Sequence, residues 1–540
     1  MEWNLGDVHD ALAEVLPADA PAIIHDDTSV GWQEFTRRGN NVGRFLLENG
    51  LNYGDKVAFY MRNVPAYSET MSACFKARLV HVNINYRYVD EELKYVIANS
   101  DAVAVVYSAE FADFVLAIRD KLPEVKLWIE VADGEPALKD VADYETIAQQ
   151  GSGAPLEIKR SPEDLLFLYT GGTTGMPKGV MWTQSDLFTL LSRNPKVPPA
   201  KSLAELVARV GKLGAGPKIL PACPLMHGTG LITAISAHGA GGAVVTVSSK
   251  KLDPAAIWQS VTNNGVNSIS IVGDAFAKPL LKELQENPDR YELKSLKAIV
   301  SSGLMWSPEI KEGLLECHPR MALRDSFGSS EALGFGDMET TAGQKAKTAK
   351  FRKSENCKVF TEDHREIKPG TGEVGFVALS GPMPVGYYKD PKKTESTFPT
   401  INGVRYSIPG DWCSIETDGT LTLLGRGSVC INSGGEKIYP EEIEEVIKKH
   451  PATEDVLVVG VPDEKWGQAV TAVVQLVKGE TLTQQALVDF VKQHLAAYKA
   501  PKHVLFHSTV YRAVNGKSDY KRVTRYAKET LKIEPVAEPA

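Results

Sequence analysis

No apolar run in this chain reaches the ~18 residues that a membrane-spanning helix needs. The first residues, Met1-Glu-Trp-Asn-Leu-Gly-Asp, are acidic and lack an apolar core, so no signal peptide is expected. Cysteine is scarce and scattered: Cys74, Cys223, Cys317, Cys357, Cys413 and Cys430 form no Cys-x-x-Cys pair. That excludes the usual zinc sets and a disulfide framework, and it predicts reduced, buried thiols in a cytoplasmic protein. Long basic runs are also missing. With a formal net charge of −8, nucleic acid is excluded as the main partner. Internal repeats and low-complexity tracts are absent as well.

What remains is the composition of a globular protein, 43% hydrophobic and 24% charged, at a length that calls for two or three domains. Up to about residue 160, short apolar runs such as Lys56–Tyr60 and Ala102–Tyr107 alternate with helical stretches at Trp32–Asn49 and Asp90–Asn99. This alternation predicts α/β layers around a mainly parallel sheet. It continues through Ala243–Val247, Ser268–Val272 and Lys297–Val300. From about residue 355 the runs shorten and Gly, Asp and Pro fall between them, which predicts an antiparallel β subdomain. Gly425-Arg-Gly-Ser428 reads as a hinge directly after a strand. The last ~110 residues read as a small mobile α+β unit; its first helix opens with Pro440-Glu-Glu and closes on Lys448-Lys449, matching the helix dipole. The expected units are therefore 1–427 and 428–540.

The densest chemical signal is Leu168-Tyr-Thr-Gly-Gly-Thr-Thr-Gly-Met-Pro-Lys-Gly-Val180. Its four glycines permit close backbone approach to an anion. Its threonine hydroxyls and backbone amides can donate to phosphate oxygens, and Lys178 adds a point charge. The loop therefore predicts a nucleotide triphosphate site, with a Gly-rich surface turn as the plain alternative. It is not a Walker A loop, because Met176 and Pro177 stand between Gly175 and Lys178.

Further islands follow in order: Pro224-Leu-Met-His227-Gly-Thr-Gly230, Phe327-Gly-Ser-Ser330-Glu331, Gly410-Asp411, Gly425-Arg426, Ser433-Gly-Gly-Glu-Lys437 and Gly516-Lys517. Alone, each has a plain reading. His227 could be a packed histidine, Glu331 a solvated acid, Arg426 a salt-bridge partner and Lys517 a turn lysine. Together and in this order they resemble the adenylate-forming acyl-CoA synthetases, the superfamily that includes peptide-synthetase adenylation domains and luciferases. The resemblance spans nearly the whole chain. Three departures stand out: Gly171 replaces a serine, Phe327 a tyrosine, and Ser428 the usual hinge Asp or Lys.

The resemblance implies an ATP-dependent ligase that converts a carboxylic acid to acyl-AMP plus pyrophosphate and then passes the acyl group to CoA. It implies that Thr170, Gly171, Gly172, Thr173, Thr174, Gly175 and Lys178 hold the β- and γ-phosphates. Glu331, with Thr174, would hold Mg²⁺. Phe327 would stack on adenine, beside Gly328 and Ser330, and Asp325 would accept from the adenine amine. Asp411 and Arg426 would bind the ribose. His227 would line the mouth of an acyl tunnel, and Lys517 would bridge the carboxylate and α-phosphate. Ser428 would be the pivot, and Gly434, Gly435 and Glu436 would swing toward the CoA thiol.

The segments Gly273–Leu280, Pro384–Lys393 and Gly425–Lys437 further resemble bacterial ligases that activate the carboxylated side chain of sterols and steroids. A medium- or long-chain fatty acyl-CoA synthetase is the main alternative. A luciferase-like enzyme and a non-catalytic nucleotide-binding paralogue are weaker ones, and a peptide-synthetase domain is disfavoured because no carrier domain follows. The expected partners are small molecules; the assembly is open between a monomer and a homodimer.

Overall fold

Apolar runs of four to seven residues become buried strands. Val80–Asn83 and Ala243–Thr246 are buried at every position, as strands covered on both faces must be. We describe a computed structural model. It describes residues 2–132, 134, 136, 138–170, 176–193, 198, 200–304, 306–426, 429, 431–433, 436–463, 466–495, 497–512 and 518–533.

An eight-stranded sheet carries, in spatial order, Gly386–Tyr387, Lys178–Thr183, Leu165–Thr170, Val80–Asn83, Lys56–Tyr60, Ala102–Ser108, Leu127–Val131 and Ala142–Asp143. It is parallel from Leu165–Thr170 onward and antiparallel at Gly386–Tyr387 and Lys178–Thr183. A second sheet has thirteen strands. One hydrophobic cluster joins the two sheets, with Val57 and Phe59 from the first, Ile23 and Val244 from the second, and Leu12, Phe35, Phe75 and Leu231 from helices between them.

The antiparallel region predicted after residue 355 is not a separate sheet. Ala322–Ser329 pairs in parallel with Ala298–Ser302 on one side and antiparallel with Ala332–Thr340 on the other. That hairpin carries the parallel α/β layer directly into the antiparallel strands Lys350–Lys353, Thr420–Arg426, Asp411–Ile415, Val374–Leu379 and Cys357–Phe360. The change in strand direction therefore begins about 30 residues before the change in texture suggests, at the motif Phe327–Glu331.

The chain leaves the large sheet at Arg426 and enters a five-stranded sheet at Ile431. In its strand Thr453–Asp463, Val456 and Val458 face one cluster with Ile443 and Leu487, while Leu457 and Val459 face another with Val523 and Ala527. Period-two alternation with both faces buried means helices cover both sides. Among the described residues, no helix is long and apolar enough to cross a membrane.

Candidate active site

The strands of the glycine-rich hairpin set the first element of the site. Leu165–Thr170 and Lys178–Thr183 pair antiparallel with Thr170 opposite Lys178, so both feet of the loop are fixed. Residues 171–175, including Thr173 and Thr174, lie outside the described residues. Thr170 borders a cavity of about 1150 Å³. Lys178 does not: its ammonium is ion-paired with Asp390. That contact holds the Asp390 carboxyl below its ordinary value. Asp390 follows the strand Gly386–Tyr387, which pairs with the strand that Lys178 opens.

His227 precedes the helix Gly228–Gly239 and borders the cavity with Gly228 and Thr229. The fixed Gly230 of its motif has a steric cause. A Cβ there would stand 2.3 Å from the Pro224 carbonyl oxygen, so only glycine lets the helix start under that turn. Leu190, Leu191, Ile232, Val272, Val300 and Leu304 give the cavity an apolar share of its lining.

Glu331 lies in the turn between Ala322–Ser329 and Ala332–Thr340, and three long-range contacts fix it. The Tyr387 hydroxyl donates to its Oε1 at 2.7 Å, the Ser407 hydroxyl donates to its carbonyl at 2.7 Å, and Trp182 Nε1 donates to the carbonyl of Ser330 at 2.9 Å. Glu331 and Ser330 border the cavity, as do Gly328 and Asp411. Asp411 opens the strand Asp411–Ile415 and pairs through its backbone with Arg426.

Two neighbours on the same lining have close protein partners. Phe327 borders the cavity but is only 5% exposed, because Phe335 and Phe351 pack on it at 5.0 Å between centroids. Both contacts are tilted, at 44° and 32° between ring planes, and the ring keeps its place on the cavity lining. Asp325 is paired with the buried Lys311 at 2.6 Å. Burial pushes its carboxyl up while Lys311 pulls it down. Asp325 also borders the cavity, so its carboxylate meets that space already paired with a lysine.

The hinge motif begins inside a strand. Gly425 and Arg426 lie within the strand Thr420–Arg426 rather than after it. Gly425 has φ +124°, and a Cβ there would fall 2.1 Å from the Glu441 carboxylate. The positive φ favours glycine at this position, where the Glu441 carboxylate comes close. Ser428, Gly434, Gly435 and Lys517 lie outside the described residues, as do the side chains of Arg426 and Glu436.

Sequence reasoning missed Tyr387, Asp390, Lys311 and Asp274. Asp274 borders the cavity and accepts from the Ser307 amide at 2.9 Å and from its hydroxyl; burial pushes its carboxyl up. Tyr387 and Asp390 fall in the segment Pro384–Lys393 that drew notice as a resemblance, but nothing local signals their partners. The far cavity wall comes from the C-terminal unit, through Glu444, Lys448, Asp455, Arg512, Ser518 and Tyr520.

A cavity shared by an α/β layer, a β hairpin and a C-terminal unit, with Thr170 at the foot of the Gly-Thr motif on its lining, suits a nucleotide-activating enzyme. A family model described as AMP-binding enzyme matches residues 10–388, and one described as AMP-binding enzyme C-terminal domain matches 442–517. The chain belongs to the AMP-binding enzyme family. It is 38% identical to a 3-oxocholest-4-en-26-oate–CoA ligase of Rhodococcus rhodochrous, covering 100% of this chain and 98% of that one. It is 39% identical to a medium/long-chain-fatty-acid–CoA/3-oxocholest-4-en-26-oate–CoA ligase of Mycobacterium marinum, covering 98% and 97%. Among solved structures, ATP-bound MatB from Rhodopseudomonas palustris matches with a TM-score of 0.81 at 24% identity, covering 98% of this chain and 100% of that one; this shows a common fold.

Proposed function

We propose that the protein is an AMP-forming acid–thiol ligase that activates the side-chain carboxylate of a steroid and transfers it to CoA. The observation that carries this reading is full-length identity of 38–39% to ligases named for that acid, joined to a cavity of about 1150 Å³ that His227 and several apolar side chains line. A medium- or long-chain fatty acid is the second reading, favoured by the name of the Mycobacterium marinum relative.

A carboxylate oxygen attacks the α-phosphorus of ATP, and the bond to the bridging oxygen of the β-phosphate breaks. Pyrophosphate leaves and acyl-AMP remains. The CoA sulfur then attacks the acyl carbon, and AMP departs. The protein's part is to position reactants and neutralise charge. In this reading Thr170, Thr173 and Thr174 hold phosphate oxygens, Asp411 and Arg426 the ribose, and Lys517 the developing charge between carboxylate and α-phosphate. Lys178 joins the phosphates by exchanging Asp390 for them.

Glu331 suits Mg²⁺. It is a carboxylate braced by a hydroxyl, and no group of three His, Cys, Asp or Glu occurs among the described residues, so nucleotide phosphates would complete the shell. Bound there, Mg²⁺ would ease negative charge on the departing phosphates. The units 1–427 and 428–540 would rotate about Ser428 between the two steps, bringing Gly434, Gly435 and Glu436 toward the thiol. The cytoplasm, which supplies ATP and CoA, is the proposed compartment. A homodimer is the assembly to look for.

The test is CoA-dependent release of AMP and pyrophosphate with ATP–Mg²⁺ and a panel of acids: 3-oxocholest-4-en-26-oate, palmitate, octanoate and an aryl propenoate. Highest kcat/KM on the steroid acid is expected. Preference for palmitate or octanoate transfers the assignment to the second reading.

A further inference from the structure

The strand Ser268–Ile271 reads Ser-Ile-Ser-Ile, and Ile269 and Ile271 are buried in the core. A parallel strand covered on both faces is ordinarily apolar on both. Here the second face carries Ser268 and Ser270, and the helix Gly228–Gly239 packs against it. That helix lends Gly228, Thr229, Ile232 and Thr233 to the cavity lining, a set spaced three and four apart on one face. Ser270 borders the same cavity. Two hydroxyls therefore stand where a valine or leucine would pack equally well.

The Thr233 hydroxyl lies 2.7 Å from the Thr229 carbonyl and 3.0 Å from Ser270 Oγ. It has one proton for these two acceptors. If the proton goes to the carbonyl, Ser270 donates to Thr233 and its own lone pairs stay open. If it goes to Ser270, the Ser270 proton has no acceptor among the described residues. Either way Ser270 keeps one hydrogen-bonding capacity unused. Its neighbours across the sheet, Pro221 and Val300, have no polar side-chain atom to fill it. Ser270 is only 4% exposed, so a further partner reaches it only from the cavity it borders. The pair also stands away from the reacting groups. A Cβ on Gly228 would lie 3.5 Å from Ser330 Oγ, so the start of the helix rests on the turn that carries Glu331. Thr233 is five residues farther on, ~8 Å along the helix axis.

We infer that the Thr233–Ser270 hydroxyl pair is a specificity site that receives a hydroxyl or oxo oxygen on the carbon skeleton of the acid. It favours an oxygenated acid over the plain chain of a fatty acid. The inference rests on the acid–thiol ligase reading above and narrows its substrate. A site that hydrogen-bonds a substrate oxygen rejects the analogue lacking it, because its own polar group is left unpaired. An apolar pocket, by contrast, discriminates weakly against an added hydroxyl.

The experiment measures kcat/KM of the full-length enzyme on pairs of acids that differ by one oxygen. One arm sets deoxycholate against lithocholate, which lacks the ring C hydroxyl. The other sets 3-oxocholest-4-en-26-oate against the same acid without its oxo group. The arms distinguish an oxygen within the ring system from one at its far end. The wild type is expected to prefer the oxygenated member of one pair by ~10-fold, the worth of one hydrogen bond. Ser270→Ala should lower that ratio through the oxygenated member, and the double variant Thr233→Val/Ser270→Ala should abolish it. Ile232→Val, on the same helix face, should change both members of a pair alike. A wild-type ratio close to unity in both arms would overturn the inference. So would equal slowing of both members in Ser270→Ala, which would reduce the pair to a packing role; Tm is read for each variant. If no acid is turned over, palmitate and octanoate included, the ligase reading falls and this inference with it. If acids are turned over without regard to the oxygen, only the inference falls.

Discussion

Two buried charge networks of this molecule are built alike and placed differently. In the N-terminal unit, Lys76 is fully buried and paired with Asp10 at 2.8 Å, and Arg160 pairs with Asp10 at 2.8 Å and Asp7 at 3.0 Å. Lys76 Nζ also donates to Asn40 at 3.0 Å, and burial pulls its ammonium down to about 8 against the pull of Asp10. In the C-terminal unit, Arg512, Asp455 and Glu444 form the counterpart. None of the first set borders the cavity, and all of the second does. Burial and a shifted pKa therefore mark neither as functional; what separates them is which solvent-filled space their far side faces.

Breaking each network should give opposite signatures. The largest effect is expected from Lys76→Met, which leaves Asp10 short of a partner. Removing one member of a buried pair costs ~3–5 kcal/mol, so the denaturant midpoint should fall steeply while kcat per folded molecule stays unchanged. Lys517→Ala should do the reverse, losing about 100- to 1000-fold in adenylation with Tm unaltered, as for other groups that meet charge in the transition state.

The pH dependence sharpens the contrast. Burial pulls His238 from 6.5 down to about 4. The unfolded chain then binds the proton first, so the N-terminal unit loses stability as pH falls from 6.5 toward 4, by on the order of 3 kcal/mol. His238→Gln should flatten that limb of the urea midpoint against pH. Burial pushes Glu444 from 4.5 up to about 7, against the pull of Arg512 and Lys448. The folded form then holds the proton longer, so stability falls as pH rises from 4.5 to 7, and Glu444→Gln should flatten that opposite limb. The smallest effect is expected from Tyr387→Phe. Losing one hydroxyl from Glu331 is worth about 1 kcal/mol, seen as a KM for Mg²⁺–ATP raised ~5-fold.

The order of motifs made much of this site legible. Thr170, His227, Gly328, Ser330, Glu331 and Asp411 all border one cavity, although they span more than 200 residues of chain. The layered α/β fold was legible too, because buried strands and amphipathic helices have distinct periods. What escaped was pairing at long range. No local pattern says that Lys178 meets Asp390, that Lys311 meets Asp325, or that Tyr387 braces Glu331. Nor does an aromatic within a strand announce partners such as Phe335 and Phe351, which pack on Phe327 at the cavity lining. The closeness of Gly425 to Glu441 is likewise visible only in three dimensions.

The central claim is that this chain forms an acyl-adenylate and that the C-terminal unit delivers the cation for it. Acid-dependent exchange of labelled pyrophosphate into ATP, without CoA, tests it most directly. The account predicts exchange that requires the steroid acid and Mg²⁺ and that is lost in Lys517→Ala. Exchange that needs no acid, or that persists in Lys517→Ala at the wild-type rate, would contradict it.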